Sequence, residues 1–523
     1  MAQEGENIFG NGSMTGIAIT LFIKKPNVTE SCKIYYHDIG SNLTTKRKLE
    51  ILDEFYSIDG ITHEQGWQII TPDEHGDWIN QRDNSFETFL AIGDKKPHST
   101  KLFETYSRGI MTSRDLWVYH SSYKALANNM SNMITFYNNE VERFNNAYGH
   151  VDRKIHKNAV NNFINSDESK ISWSHNLKRD LEKGKIFNFE DDCLTQSLYR
   201  PFTKQWLYYN RDLNDGVYRM PRIFPIGKVV ENRVIQVSSM GARSGFSVLM
   251  IKNLPDVCVI DNSQCFPRYI YENVIFSKER NKSERQSYLF TNSIEENKTA
   301  GLQRRNAITD EGLDHFKAAY PNETITKDDL FYYVYGIFHS KDYRTRYAHN
   351  LCKELPRIPC VKSADDFWKF VTAGRELGHL HVNYENVEPY PVTFKKGNPK
   401  LTKISNPEKF YYVTEMKFAK IKDSKEKDKS TVIYNSNITM TDIPKEAYEY
   451  IVNGKPALEW VMGRQCVKTD KKSGIVNDAN RYAVETVGNP AYPLELFQRV
   501  ITVSLETMKI VKDLPNLVLR ETE

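Results

Sequence analysis

Glu6-Asn7-Ile8-Phe9-Gly10-Asn11-Gly12-Ser13-Met14-Thr15-Gly16-Ile17-Ala18-Ile19-Thr20-Leu21-Phe22-Ile23-Lys24-Lys25 sets a glycine-bracketed turn in front of an unbroken apolar run. A run such as 17–23, closed by lysines, has the pattern of a strand covered on both faces, whose backbone needs neighbours on either side. Nothing upstream can pair with it, so the reading is a chain that begins inside a domain; an unpaired edge there would favour pairing with a partner or aggregation. The next segment, 32–39, is also strand-like. A short polar turn at 26–30 joins the two, which predicts a hairpin.

Working outward, 523 residues suffice for about two to four domains. A net charge of +4, from 71 basic and 67 acidic residues, does not announce nucleic-acid binding, so any such contact must come from local patches. The 30 Tyr and 26 Phe suggest loops with exposed aromatics as well as core. Cysteines 32, 193, 258, 265, 352, 360 and 466 form no C-x-x-C pair and read as free thiols of a reducing cytoplasm. His379 and His381 would share one side of a strand, but no cysteine or acid of matching spacing accompanies them, which favours a structural role over a metal. There is no signal peptide and no apolar stretch approaching roughly 18 residues, so the expectation is a soluble cytoplasmic protein without a membrane partner.

Residues 44–56 show helical spacing, with Leu49, Ile51, Leu52 and Phe55 on one side. In 121–164, Leu126, Met130, Met133, Ile134, Tyr137, Val141 and Phe144 recur every three or four residues, predicting a long helix or helix pair that joins two domains. A short helix over Leu177 and Leu181 stops at Gly184. Strands are expected at 205–209, 233–238, 246–251, 257–260, 410–416 and 431–434. Helices are expected at 328–355, 444–453 and 493–513, with a solvated lysine-rich hairpin tip at 417–429.

The opening block resembles the last catalytic-domain motif of gamma-class adenine-N6 DNA methyltransferases, in which the aromatic of the turn stacks on the flipped-out adenine. That role falls on Phe9, which from the residue alone reads first as a core aromatic and which the resemblance brings level with the stacking role. Further blocks resemble the C-terminal half of Type ISP restriction-modification enzymes: 32–40, Trp78-Ile79-Asn80-Gln81-Arg82, Tyr106-Ser107-Arg108-Gly109, Arg114-Asp115-Leu116-Trp117-Val118-Tyr119, Tyr199-Arg200-Pro201-Phe202, Gln264-Cys265-Phe266-Pro267, Tyr332-Tyr333-Val334-Tyr335-Gly336 with Leu355-Pro356-Arg357-Ile358-Pro359, and Val452-Asn453-Gly454-Lys455. The resemblance implies a mixed α+β fold: terminal strands of a Rossmann-like methyltransferase domain, then a two-part α/β target recognition domain with long helices. The implied division is 1–120 for the end of the methyltransferase domain and 121–168 for a helical connector, with 169–355 and 356–523 as the two recognition halves.

In that family a nuclease and a translocase precede the methyltransferase, and this chain resembles the last part alone. No N-P-P-Y-like tetrapeptide occurs; Asn489-Pro490-Ala491-Tyr492 is a near miss lying far downstream. Gly10-Asn11-Gly12 precedes its strand, the wrong polarity for a cofactor turn, and there is no G-x-x-x-x-G-K-[ST] loop. No cofactor is therefore expected in this chain; S-adenosylmethionine, and ATP and Mg for restriction, are implied for the full-length enzyme. Alone it should not methylate, cut or hydrolyse ATP. Glu415-Met416-Lys417 has an E-x-K form, but a chain 26% charged supplies such triplets by chance.

The resemblance makes the chain a specificity module whose partners are double-stranded DNA and the missing methyltransferase, translocase and nuclease portion. Affinity then needs cations on phosphates, and specificity needs forked or amide side chains on base edges. Arg243, between Gly241 and Gly245, leads the candidates, because glycines let backbone approach a groove. Lys278, Arg280, Arg304 and Arg305 flank a polar loop; Arg344 and Arg346 lie near the end of the 328–355 helix; Arg219 and Arg222 bracket Pro221. Each also admits the plainer reading of a solvated arginine or an ion pair. Two alternatives remain: a subunit completing a split adenine methyltransferase, and a carbohydrate- or protein-binding module.

Overall fold

The computed structural model describes residues 5–9, 17–24, 26, 31–63, 66–96, 99–273, 301–421, 424 and 426–520. Helices are mixed with small sheets of two to four strands, so the fold is α+β. At its centre lies an antiparallel sheet in the order Gln264–Pro267, Val234–Val237, Val248–Ile251. Both faces are covered. Val234, Leu249, Ile251 and Cys265 point into one core, while Ile235, Val237, Val248, Met250 and Phe266 point into a second. A strand buried on both sides has no wet face, which is why 234–237 and 248–251 read as apolar runs rather than alternating ones. Gln236, the buried polar exception, donates through Nε2 to Ser263 Oγ at 2.6 Å.

The first core holds the helix Tyr123–Tyr148, with Leu126, Met130, Met133, Tyr137 and Phe144 buried as their spacing predicts. Ser122 starts it by accepting the Ala125 N–H, and a second helix, Arg153–Phe163, completes the expected pair. The sheet Tyr119–His120, Thr203–Tyr208, Leu194–Arg200, Leu254–Pro255 packs beside them. Residues from 384 to 503 return to this core, bringing the sheet Thr393–Lys396, Thr439–Thr441, Lys427–Ile433, Lys417–Lys420 and the helix Tyr492–Lys512.

The second core is built on the antiparallel helices Lys327–Ile337 and Ala364–Val382. Thr326 and Asp329 cap the first reciprocally. Every residue from Leu330 to Ile337 is buried, so this helix has no wet face either. The expected 328–355 helix is broken into Lys327–Ile337, Lys341–Arg346 and Ala348–Lys353, because Ser340 caps a new helix.

Several expectations are corrected. Residues 17–23 form no strand and are exposed, Phe22 to 88%; among the described residues no strand lies beside them to bond their backbone. The strand Ile34–Tyr36 pairs instead with Gln68–Ile70, so the expected hairpin is absent. The helix Thr45–Phe55 forms, but Leu49 and Leu52 stand exposed. Segment 257–260 is a turn, and the ladder runs through Leu254–Pro255. The aromatic 410–416 stretch is entered by a helical turn, Pro407–Tyr411, because Asn406 caps it and Pro407 opens it. Segment 444–453 is a short 3-10 turn, Lys445–Tyr448, followed by a strand.

Candidate nucleic-acid interface

The loop carrying Arg243 turns at Gly241 and Gly245, whose φ values of +74° and +72° suit glycine. It is held by backbone and short polar bonds. The Gly241 N–H donates to the Cys352 carbonyl at 3.3 Å and the Arg243 N–H to Asp261 Oδ2 at 3.0 Å. Asn453 is the brace: its Oδ1 accepts Ser244 Oγ and the Asp261 N–H, each at 2.9 Å, and its own N–H reaches Ser247 Oγ at 2.9 Å. Gly454, at φ +71°, lets the two loops close; a Cβ there would stand 2.6 Å from that of Ser244. The Arg243 side chain is exposed, and among the described residues no carboxylate forms an ion pair with it. The loop is fixed while its cation is free to reach outward.

The strands Tyr269–Asn273 and Leu302–Asn306 pair antiparallel, with Arg304 opposite Tyr271 and Arg305 opposite Ile270. Successive side chains take opposite faces. Arg304 is exposed, with its guanidinium carbon 4.5 Å from the Tyr269 ring centre, and Arg268 reaches the same ring at 4.9 Å. Arg305 goes the other way, into a network with Glu104 and Glu272 that also holds Arg222, whose Nη2 meets Glu272 Oε1 at 2.5 Å. Hydrogen bonding from Arg305 holds the Glu104 carboxyl below its ordinary value. Arg222 and Arg305 are therefore engaged in ion pairs, and Arg304 is presented.

Arg219 is exposed and donates to Thr105 Oγ1 at 3.0 Å. Arg346 pairs with Asp83 at 3.0 Å. Arg344 is turned inward, its Nε donating to the Phe338 carbonyl at 2.5 Å. Phe9 is 84% exposed, not core. Lys278 and Arg280 lie outside the described residues. The structure thus leaves Arg243, Arg219 and Arg304 exposed and outside any ion pair among the described residues.

A grouping not visible in the sequence surrounds Tyr332. Arg375, Arg268 and Arg233 lie 4.5, 5.8 and 5.9 Å from its ring centre, and Arg233 Nη1 donates to its hydroxyl at 2.7 Å. Arg375 bonds Asp328 and Asp329, each at 2.7 Å, and Arg268 pairs with Asp328. Arg233 sits just before one strand, Arg268 between two others and Arg375 on a helix, so no local spacing announces them.

All seven cysteines are free. His379 and His381 lie on a helix, not a strand; His381 contacts the Tyr335 hydroxyl at 2.5 Å and Thr507 Oγ1 at 2.8 Å, and burial lowers its imidazole to about 3. Among the described residues no group of three or more His, Cys, Asp or Glu is placed to hold a metal. Lys417 pairs with Glu415 at 2.8 Å. Asn489-Pro490-Ala491-Tyr492 is a helix entry: Asn489 Oδ1 accepts the Ala491 N–H at 2.9 Å, and Tyr492 is buried against Glu385. No helix of the described residues is long and apolar enough to cross a membrane.

The family model described as the Type ISP C-terminal specificity domain matches residues 101–496. Among solved structures, a nuclease-deletion mutant of the Type ISP restriction-modification enzyme LlaGI with a DNA substrate mimic is similar over 99% of this chain and 42% of its own, at 35% identity and TM-score 0.80. The ATP-dependent Type ISP enzyme LlaBIII bound to DNA is similar over 99% of this chain and 30% of its own, at 34% identity and TM-score 0.79. The DrdV–DNA complex is similar over 93% of this chain and 44% of its own, at 28% identity and TM-score 0.72. The chain therefore spans less than half the length of each. No curated protein sequence matches.

Proposed function

Because the chain belongs to the Type ISP C-terminal specificity domain family, we propose that it is a DNA target-recognition module that selects the site for adenine-N6 methylation and restriction. The observation that carries this reading is likeness over 99% of the chain to an enzyme solved with a DNA substrate mimic. The chemistry belongs to methyltransferase, translocase and nuclease portions beyond these residues, which would bind S-adenosylmethionine, ATP and Mg; the module itself supplies recognition, in the cytoplasm.

In this reading residues 1–120 are the closing portion of a Rossmann-like methyltransferase domain. Residues from 121 to 168 connect it to recognition halves at 169–355 and 356–523. Exposed apolar side chains support that edge: Phe22, Ile23, Tyr56 and Ile69 are each more than 70% in contact with solvent, too many for a finished surface. They would be covered by the methyltransferase sheet, on the same polypeptide or as a separate subunit that this chain completes. Phe9 would stack on the flipped adenine, and its exposure suits that role. Arg243, Arg304 and Arg219 would meet the duplex.

The test is binding of the purified chain to a pooled random duplex library at two salt concentrations, with sequencing of the retained DNA. An enriched asymmetric motif, with affinity falling steeply as salt rises, is the expected result. Binding to neither salt sample would set the reading aside. A carbohydrate- or protein-binding module would instead show affinity barely sensitive to salt.

A further inference from the structure

Beside the braced Arg243 loop lie cations for which no ion pair forms among the described residues. Lys455 follows Gly454 directly, in the strand Lys455–Pro456; Arg464 ends the helix Ala457–Arg464; Lys468 lies in the strand Val467–Thr469. Trp460 stands beside the first two, held by its indole N–H on the Val452 carbonyl at 2.8 Å. Lys455 Nζ lies 5.0 Å from the Trp460 ring centre and the Arg464 guanidinium carbon 5.8 Å from it.

Among the described residues, none of the three cations forms an ion pair. The neighbouring carboxylates are occupied: Glu459 by Lys429 at 3.0 Å, and Asp256 and Asp115 by Arg200 at 2.8 and 3.5 Å. Lys455 and Arg464 are half-buried. Burial lowers the Lys455 ammonium from its ordinary value; Glu459 offsets part of this, and Arg464 and Lys468 press it further down. Burial, then Arg200, lowers Arg464 likewise. The helix C-terminus beside Arg464 offers only about half a negative charge, against three cations. Half-buried like charges that repel one another raise the energy of the empty site, and an anion would relieve it.

We propose that Lys455 and Arg464, standing at Trp460, form with Lys468 a seat for a backbone phosphate of duplex DNA. The inference rests on the DNA-recognition reading and deepens it. The seat fixes where the strand runs, and through the contact of Gly454 with Ser244 it sets the register in which Arg243 meets the groove. Its contacts carry no sequence information of their own.

Two measurements on the full chain test it. The first is affinity for random-sequence duplex across a salt series, for wild type, Lys455→Gln, Arg464→Gln, Lys468→Gln and the triple variant. The triple substitution should lower the slope of log affinity against log salt by about 1, and each single substitution by part of that, equally for every sequence. The second is titration with inorganic pyrophosphate, read as the fluorescence change that disappears in Trp460→Phe; saturable binding abolished by Arg464→Gln is expected. If wild type binds duplex and the triple variant keeps its slope and affinity, the inference is overturned while the recognition reading stands. If duplex is not bound but pyrophosphate is held by these residues, the recognition reading fails and the anion site remains. No Trp460-dependent response to pyrophosphate and no change of slope would end the proposal.

Discussion

Gly374 packs against the Tyr332 carbonyl where the two helices of the second core cross, so closely that a Cβ on Gly374 would collide with that oxygen. Gly336 stands beside it, its nitrogen 3.0 Å from the same Cβ position, and itself faces the Phe370 carbonyl. Backbone cannot step aside as a flexible side chain can. Gly374→Ala should therefore destabilise the chain by at least about 2 kcal/mol, seen as a lower urea midpoint. An unchanged midpoint would mean that the helices part without cost.

Arg243→Ala should weaken specific binding by about 1 to 3 kcal/mol if Arg243 reads a base, and should lower the ratio of specific to random-sequence affinity. Asn453→Ala removes the two side-chain bonds that hold the loop, those from Ser244 Oγ and the Asp261 N–H, without touching the arginine. It should reproduce part of the same loss and speed hydrogen exchange in 240–247. If exchange speeds up with affinity intact, rigidity of the loop is not part of recognition.

Asp256 is buried, and that burial raises its carboxyl to about 7 although Arg200 lies 2.8 Å away. The folded value stands above the unfolded one, so the stabilising contribution is full below about pH 4 and is lost as the pH rises through about 7. Asp256→Asn should gain on wild type across that window, by no more than about 1.4 kcal/mol per pH unit. A difference flat in pH would show Asp256 ionised throughout.

His381 has the opposite sign. Its folded value of about 3 lies below the ordinary imidazole, so the neutral ring stabilises the fold at high pH, and that contribution is lost as pH falls from about 6.5 toward 3. Melting temperatures of His381→Gln should be less sensitive to acid than those of wild type over this range. Equal acid sensitivity in both would place the proton uptake elsewhere.

Where periodicity was long, the sequence was readable: the spacing from Leu126 to Phe144 becomes one buried stripe on one helix. Short strands were not, because a segment of two to four residues such as Leu254–Pro255 exists only through partners far away in the chain. Phe410, Tyr411 and Tyr412 have the composition of a strand, yet Asn406 and Pro407 decide the local backbone. The arginines show the same limit. Arg304 and Arg305 are adjacent and chemically alike, and only the register with Tyr271 and Ile270 sends one outward and the other to Glu104. The Tyr332 grouping depends on a helix crossing that no single segment encodes.

The central sheet acts as a party wall. Val234–Val237 and Val248–Ile251 are lining for two rooms at once, so neither room can be emptied without exposing the other. Such a chain should melt in one step. For retargeting, this separates two kinds of exchange: swapping the tip of the Arg243 loop leaves the wall standing, whereas transplanting a contiguous block that includes either strand would demand matched packing from both sides.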